Sequence, residues 1–254
     1  PILIDEEGSN VSRLKKIINH NISANFFGKL YKIDSKVSIQ IYKSYLTKLC
    51  KTLKDIGINI NTIPVLDVLR THTNKVIGER SFSKNKKIVQ KFGKITVEHC
   101  NTYKIATMAK HIPGHGPAKS DSHFKTPKVS LSENKLNSLD FYPYKSNPAK
   151  FAMTAHILYT KIDKKNVATL SKKIISKIIR KKIKFKGILI SDDISMKALK
   201  YDLVTNAIKS LEAGCNLVLY CEGNINDNFK LIKSIPFIDK FTLKKTSEFY
   251  KFLG

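Results

Sequence analysis

The chain has no tryptophan, three methionines and only four cysteines in 254 residues, and its 20 acidic residues face 46 basic ones. Each scarcity excludes something. Cys50, Cys100, Cys215 and Cys221 are scattered without a C-x-x-C pair, so neither a disulfide framework nor a zinc site is expected, and reduced cysteines point to a cytoplasmic protein. No stretch approaches the roughly 20 apolar residues of a membrane span. Pro1 to Gly8 has neither the basic nor the apolar region of an export signal, so no membrane partner is expected. There is no G-x-G-x-x-G and no G-K-[ST], which removes the main support for a dinucleotide or P-loop site. Repeats, linkers and low-complexity boundaries are also lacking, and residues 1–254 read as one domain.

The shortage of acid leaves a formal charge of +26. Alone, that suggests a nucleic-acid partner. Arginine is nearly as scarce as tryptophan, however: Arg13, Arg70, Arg80 and Arg180 are the only four, and the other basic residues are lysines spread along the chain. Nucleic-acid readers favour the bidentate arginine fork, whereas diffuse lysine solvates surfaces. No nucleic-acid partner is expected, and a non-catalytic basic binding protein stands as the reading of a different class.

What is present is a rhythm of short apolar runs. Pro1 to Asp5, Ile58 to Asp67, Ile105 to His111, Phe151 to His156, Gly187 to Asp192 and Leu217 to Cys221 have strand length and turn residues at their ends, as strands buried on both faces do. Helical spacing lies between them. Tyr42, Tyr45, Leu46, Leu49, Leu53 and Ile56 share a face before Gly57; Leu203, Ala207, Ile208 and Leu211 do so before Gly214; Leu170, Ile174, Ile175, Ile178 and Ile179 form a third set. Alternating strands and helices imply a parallel α/β sheet. Asp5, Asp67, Lys110, His111, His156 and Asp192 each stand where a strand gives out, the rim on which a (β/α)8 barrel, the TIM fold, keeps its chemistry, and they favour a barrel over an open sheet.

Two stretches carry candidate chemistry. Lys110-His-Ile-Pro-Gly-His-Gly116 is followed after four residues by Asp121-Ser-His123, which puts three histidines in thirteen residues. The turn at Pro113 and Gly114 breaks any helical pairing of metal ligands, so no metal is expected; loop histidines without a role remain possible readings of this segment. A histidine two residues from an aspartate suits proton transfer, because the carboxylate orients the ring and stabilises its charged form. The second stretch, Gly187-Ile-Leu-Ile-Ser-Asp-Asp-Ile-Ser-Met196, ends a strand in two adjacent carboxylates. Such a pair equally suits a divalent cation, a helix cap or catalysis.

Together these stretches resemble glycoside hydrolase family 3, and specifically its bacterial cytosolic β-N-acetylglucosaminidases of cell-wall recycling. The family's K-H-F-P-G-H-G, four residues, D-S-H pattern is reproduced from Lys110 to His123, with Ile112 in place of the aromatic. Ile4-Asp-Glu-Glu-Gly-Ser-Asn-Val-Ser-Arg13 looks like its D-Q-E-G-G-R-V-Q-R segment, and Pro64-Val-Leu-Asp-Val68 and Val76-Ile-Gly-Glu-Arg-Ser-Phe82 look like two more of its patterns. The resemblance implies Asp192 as nucleophile, His123 as acid/base and Asp121 as its partner, with Asp193 structural. It assigns Asp5, Arg13, Arg80, Lys110 and His111 to sugar binding. It implies a monomeric, cofactor-free retaining exo-enzyme that removes N-acetylglucosamine from muropeptides through a covalent glycosyl-aspartate. A family 3 enzyme of other sugar specificity and phosphorolysis are the neighbouring readings.

The family's barrel has eight strands where six runs are counted here, so the expectation is a (β/α)8 barrel lacking its first two strands, truncated at the N-terminus, and an inactive fragment is the corresponding alternative. Ser9 and Asn10 stand where the family has glycine and arginine, and Ser83 where it has glycine, which would change the sugar loops.

Overall fold

The computed structural model describes residues 1–18 and 21–254. Their elements, in chain order, are β1 (Leu3–Ile4), α1 (Ala24–Ile33), α2 (Ser35–Asp55), β2 (Ile60–Asn61), α3 (Lys86–Thr102), β3 (Ala106–Ile112), β4 (Lys128–Val129), α4 (Glu133–Ser138), β5 (Phe151–Thr154), β6 (Leu158–Tyr159), a π-helix (Ile174–Lys182), β7 (Ile188–Asp193), α5 (Leu203–Ala213), β8 (Leu217–Leu219), α6 (Ile225–Ser234) and α7 (Lys240–Leu253). No helix among the described residues is long and apolar enough to cross a membrane.

All six anticipated strands pair in parallel in one sheet of order β1-β2-β3-β5-β7-β8, which curls into a half-barrel. Neighbours in the sheet follow chain order, as strand-helix-strand crossovers of one hand require. The remaining strands, β4 and β6, make a separate two-stranded pair that the apolar runs did not announce.

The strands are apolar throughout because each has two faces to bury. Ala109, Ala152 and Leu189 face the helix layer, where they join a core built on Leu46, Leu53, Phe92 and the π-helix isoleucines. Their neighbours Met108, Phe151, Met153, Ile188 and Ile190 face the concave side. There they meet Phe249 of α7, whose ring stands edge-on to Phe151 at 4.9 Å between centroids, with Phe252 and Leu253 beside it. Helix α7 thus packs inside the curl.

Local signals account for the helix ends. Asp34 closes α1 and opens α2, its carboxylate accepting from the Lys36 and Val37 amides at 2.9 and 3.0 Å. Such a cap is worth about 1 kcal/mol. Gly57 and Gly214 stop α2 and α5 at φ of +80° and +115°, where a side chain would be strained. The third anticipated helix is present but wound with i+5 bonding over Ile174–Lys182. Its four isoleucines share a face in either winding, so their spacing does not distinguish the two.

Candidate active site

The anticipated rim residues lie at the C-terminal ends of the strands, and Lys110 ties β3 to the segments that follow β1 and β2. Its ammonium, on β3, is buried and donates to Asp5 Oδ1 at 2.9 Å, Thr62 Oγ1 at 2.7 Å and Glu7 Oε1 at 2.6 Å. An ammonium has three N–H bonds, so a sugar oxygen that bonded Lys110 would have to displace one of these acceptors. The Thr62 hydroxyl also donates to Asp5. Burial raises the pKa of Asp5, but Lys110, Thr62 and Arg13 outweigh it and hold the carboxyl at about 2.

Glu7 is the residue that reading the motif did not single out. It receives Arg80 through two parallel bonds, Nε to Oε2 and Nη2 to Oε1, both 2.8 Å, in addition to Lys110. Arg80 Nη1 donates to the Val76 carbonyl at 3.0 Å. Burial works against the charged form of Glu7, and the two cations overcome it and hold its pKa below the usual carboxylate range. A signal existed in the sequence: a buried arginine requires a carboxylate, and Glu7 lies in the segment that runs from Asp5 to Arg13. Glu6, its neighbour, instead caps the Arg13 and Leu14 amides at 2.8 and 2.9 Å. Arg13 itself lies at the margin, its side chain 68% exposed and its guanidinium 3.9 Å from Asp5.

His111 sits deeper. Its Nδ1 lies 2.7 Å from Asp67 Oδ2, and its backbone amide donates to Asp67 Oδ1 at 3.3 Å. Asp67 also accepts from the His115 amide at 2.6 Å and the Tyr144 hydroxyl at 3.1 Å. Burial raises Asp67, while His111 and His115 bring its pKa down to about 2. The His115 ring stands edge-on to that of His111 at 5.6 Å between centroids, with its Nδ1 buried and unpartnered among the described residues. Burial, reinforced by His111, lowers its pKa to about 4.

At the end of β7 the two adjacent aspartates separate cleanly. Asp193 is occupied by the following turn: it accepts from the Ser195 amide and hydroxyl at 3.1 and 2.7 Å, and from the Cys221 amide at 3.3 Å. Asp192 accepts from the Asp193 amide at 2.9 Å, and the structure gives it no other hydrogen bond among the described residues. Burial would raise its pKa, but His156, His111, the Asp193 amide and Lys110 together hold it below the ordinary value. His156 is buried and satisfied at both nitrogens, by Thr169 Oγ1 at 2.7 Å and the Asp193 carbonyl at 2.9 Å, so it anchors the backbone that carries Asp192. Burial lowers its pKa against the pull of Asp192.

His123 lies on the loop beyond β3. Asp121 Oδ1 accepts from its amide at 2.9 Å and lies 2.7 Å from its Nδ1, and burial of the carboxylate is outweighed by these bonds, which lower its pKa. The loop is fastened to the turn after β7, Ala198 N–H to the Ser122 carbonyl at 3.2 Å and Thr126 Oγ1 to the Ala198 carbonyl at 2.8 Å. The dyad therefore shares a rim with Asp192, with the His123 side chain 60% exposed. Among the described residues no group of three or more His, Cys, Asp or Glu is placed to hold a metal ion.

A half-buried carboxylate kept ionised, set among cations and imidazoles and sharing a rim with a His-Asp pair, is equipped for nucleophilic attack with proton transfer. Comparison with known proteins places the chain in a family. Residues 2–242 match the family model for the glycosyl hydrolase family 3 N-terminal domain. The β-hexosaminidase of Haemophilus influenzae is 31% identical over 246 residues, covering 92% of this chain and 69% of that protein. β-Hexosaminidase A of Pseudoalteromonas piscicida is 30% identical over 240 residues, and there the match spans 86% of this chain but only 39% of the relative's length. Among solved structures, NagZ from Neisseria gonorrhoeae in complex with N-trifluoroacetyl-D-glucosamine superposes with a TM-score of 0.88 at 26% identity, over 99% of this chain and 73% of that one. A family 3 β-N-acetylglucosaminidase from Paenibacillus superposes at 0.85 and 25% identity, over 99% of this chain and 49% of its own. From the family match and these relatives, the chain belongs to glycosyl hydrolase family 3.

Proposed function

We propose that the chain is the single catalytic domain of a cytoplasmic, monomeric retaining exo-β-N-acetylglucosaminidase that takes terminal N-acetylglucosamine from peptidoglycan-derived muropeptides. The observation that carries the reading is the division of labour between the adjacent aspartates: Asp193 is taken up by its turn, while Asp192 presents an ionised, nearly unencumbered carboxylate. That is the state in which an aspartate attacks an anomeric carbon.

In this reading Asp192 displaces the aglycone while His123 protonates the departing oxygen, leaving a covalent glycosyl-aspartate. His123 then takes a proton from water, and the sugar leaves with its configuration retained. Most retaining enzymes use two carboxylates, so a histidine in the acid/base role departs from that scheme. Once Asp192 is esterified, a neutral imidazole activates the incoming water without the charge repulsion a second carboxylate would impose on an anionic acceptor, and Asp121 stabilises the imidazolium present before the first step and after the second. The exposed His123 ring has to come over the pocket when sugar is bound. Asp5, Arg13, Arg80, Lys110 and His111 hold the sugar, with Glu7 fixing two of them. The acetamido sugar is favoured over a plain glucoside because the curated relatives are β-hexosaminidases and the gonococcal neighbour was solved with an N-acylated glucosamine.

The test is release of 4-nitrophenol from its β-N-acetylglucosaminide and, in parallel, its β-glucoside, by the parent protein and Asp192→Ala, with circular dichroism on each sample. Turnover of the acetamido sugar alone, lost by at least 1,000-fold in the folded variant, is expected on the order of a removed nucleophile. Turnover that survives Asp192→Ala sinks the assignment.

A further inference from the structure

Asp67 has no part in the reaction above, yet its fully buried carboxylate receives four hydrogen bonds. They are not shared evenly. Oδ1 takes the amides of His111 and His115 and the hydroxyl of Tyr144, while Oδ2 is left to the His111 ring alone, at 2.7 Å. An ionised carboxylate can only accept, so the ring nitrogen facing it must be the one that carries a proton. A neutral imidazole has one N–H, and the opposite nitrogen then offers a lone pair.

We propose that Asp67 is a positioning residue that locks His111 in its Nδ1–H form and so makes Nε2 a hydrogen-bond acceptor for the bound sugar. The inference rests on the reading of this pocket as a sugar site. It gives the pocket a neutral acceptor, which its cations cannot supply. Lys110, Arg80 and Arg13 are donors only, so they suit the oxygens of hydroxyls and of an acyl carbonyl. An acceptor at His111 requires a hydroxyl that donates. A site built around such a bond rejects an analogue in which that hydroxyl is replaced by fluorine, which cannot donate.

The uneven sharing at Asp67 also dictates what Asp67→Asn does. Three donors converge where Oδ1 lies, so the asparagine carbonyl must occupy that position and its NH2 must take the place of Oδ2, against His111 Nδ1. An N–H pointing at Nδ1 forces that nitrogen to accept. The ring proton moves to Nε2, and the acceptor becomes a donor.

Long-range proton–nitrogen correlation spectra of histidine-labelled protein at pH 7.5 read this directly, without activity. The expected result is His111 protonated at Nδ1 and bare at Nε2 in the parent protein, and the reverse in Asp67→Asn. In the same samples the Kd for N-acetylglucosamine is expected to rise at least tenfold in Asp67→Asn, and the substitution is expected to cost nothing further once His111→Ala has removed the ring. A parent ring protonated at Nε2, alone or together with Nδ1, overturns the proposal even if the variant does not fold. So does an unchanged tautomer in folded Asp67→Asn, or an equal loss with and without His111, which would mark Asp67 as merely structural. If the parent protein fails to bind N-acetylglucosamine, the sugar-site reading falls, while the tautomer measurement still decides the role of Asp67.

Discussion

His115→Gln should make the protein markedly less sensitive to mild acid. The native ring has a pKa of about 4 against an ordinary 6.5, because burial and the neighbouring His111 oppose its charge. A depressed histidine favours the folded state fully above pH 6.5, and that advantage is lost as pH falls toward 4, since the unfolded chain takes a proton that the native ring refuses. With those two values, the fall in stability between pH 7.5 and pH 5 is about 2 kcal/mol, rising to about 3 kcal/mol below pH 4. For a chain of this size, 2 kcal/mol corresponds to roughly 4–8 °C in Tm. The assay is thermal unfolding by circular dichroism at pH 7.5 and 5.0 for both proteins. What counts is the difference of differences: the variant's drop in Tm should be smaller than the parent's by that 4–8 °C, whatever the substitution costs at pH 7.5. His156, also depressed by burial, remains in both and cancels. Equal drops would refute the claim that His115 is buried neutral.

Asp121→Asn should lower kcat by about 10- to 100-fold through loss of the carboxylate that orients His123, less than the roughly 100- to 10,000-fold of general acid-base catalysis itself because the ring remains, with Tm unchanged because the dyad lies at the surface. Glu7→Gln breaks a buried pairing with two cations, so a cost of about 3–5 kcal/mol is expected, read as a lower midpoint in urea, together with a raised KM. Gly214→Ala places a methyl group 3.0 Å from Ile175 at a φ of +115° and should destabilise by about 1 kcal/mol or more in the same urea experiment, leaving KM unchanged.

The strands and the rim were legible because a strand buried on both faces needs an uninterrupted apolar run, and a charge that ends such a run stands out. Asp5, Lys110, His111 and Asp192 were visible in that way. The assignment of Asp193 to its turn was legible only through the resemblance, since both aspartates end the same run and only the fold shows which accepts from Ser195 and Cys221. Glu7 and Asp67 escaped a role for a common reason: each works by pairing with partners 73 and 44 residues away, and a charge beside other charges reads as solvated until the chain is folded. The β4–β6 pair is two residues a side, below any periodic signal. Helix α7 carries an apolar stripe like any surface helix, and nothing in it announces that Phe249 turns toward the inside of the sheet rather than its outer layer.

The placement of α7 has a consequence for how the molecule is made. Every strand of the sheet leaves the ribosome before Phe249 does, so during synthesis Met108, Phe151, Met153, Ile188 and Ile190 form an inner wall with its cover still untranslated. A nascent chain in that condition is a target for chaperones and for wrong pairings, and a ribosome that stalls after β8 releases a polypeptide with its rim residues all present and its interior bare.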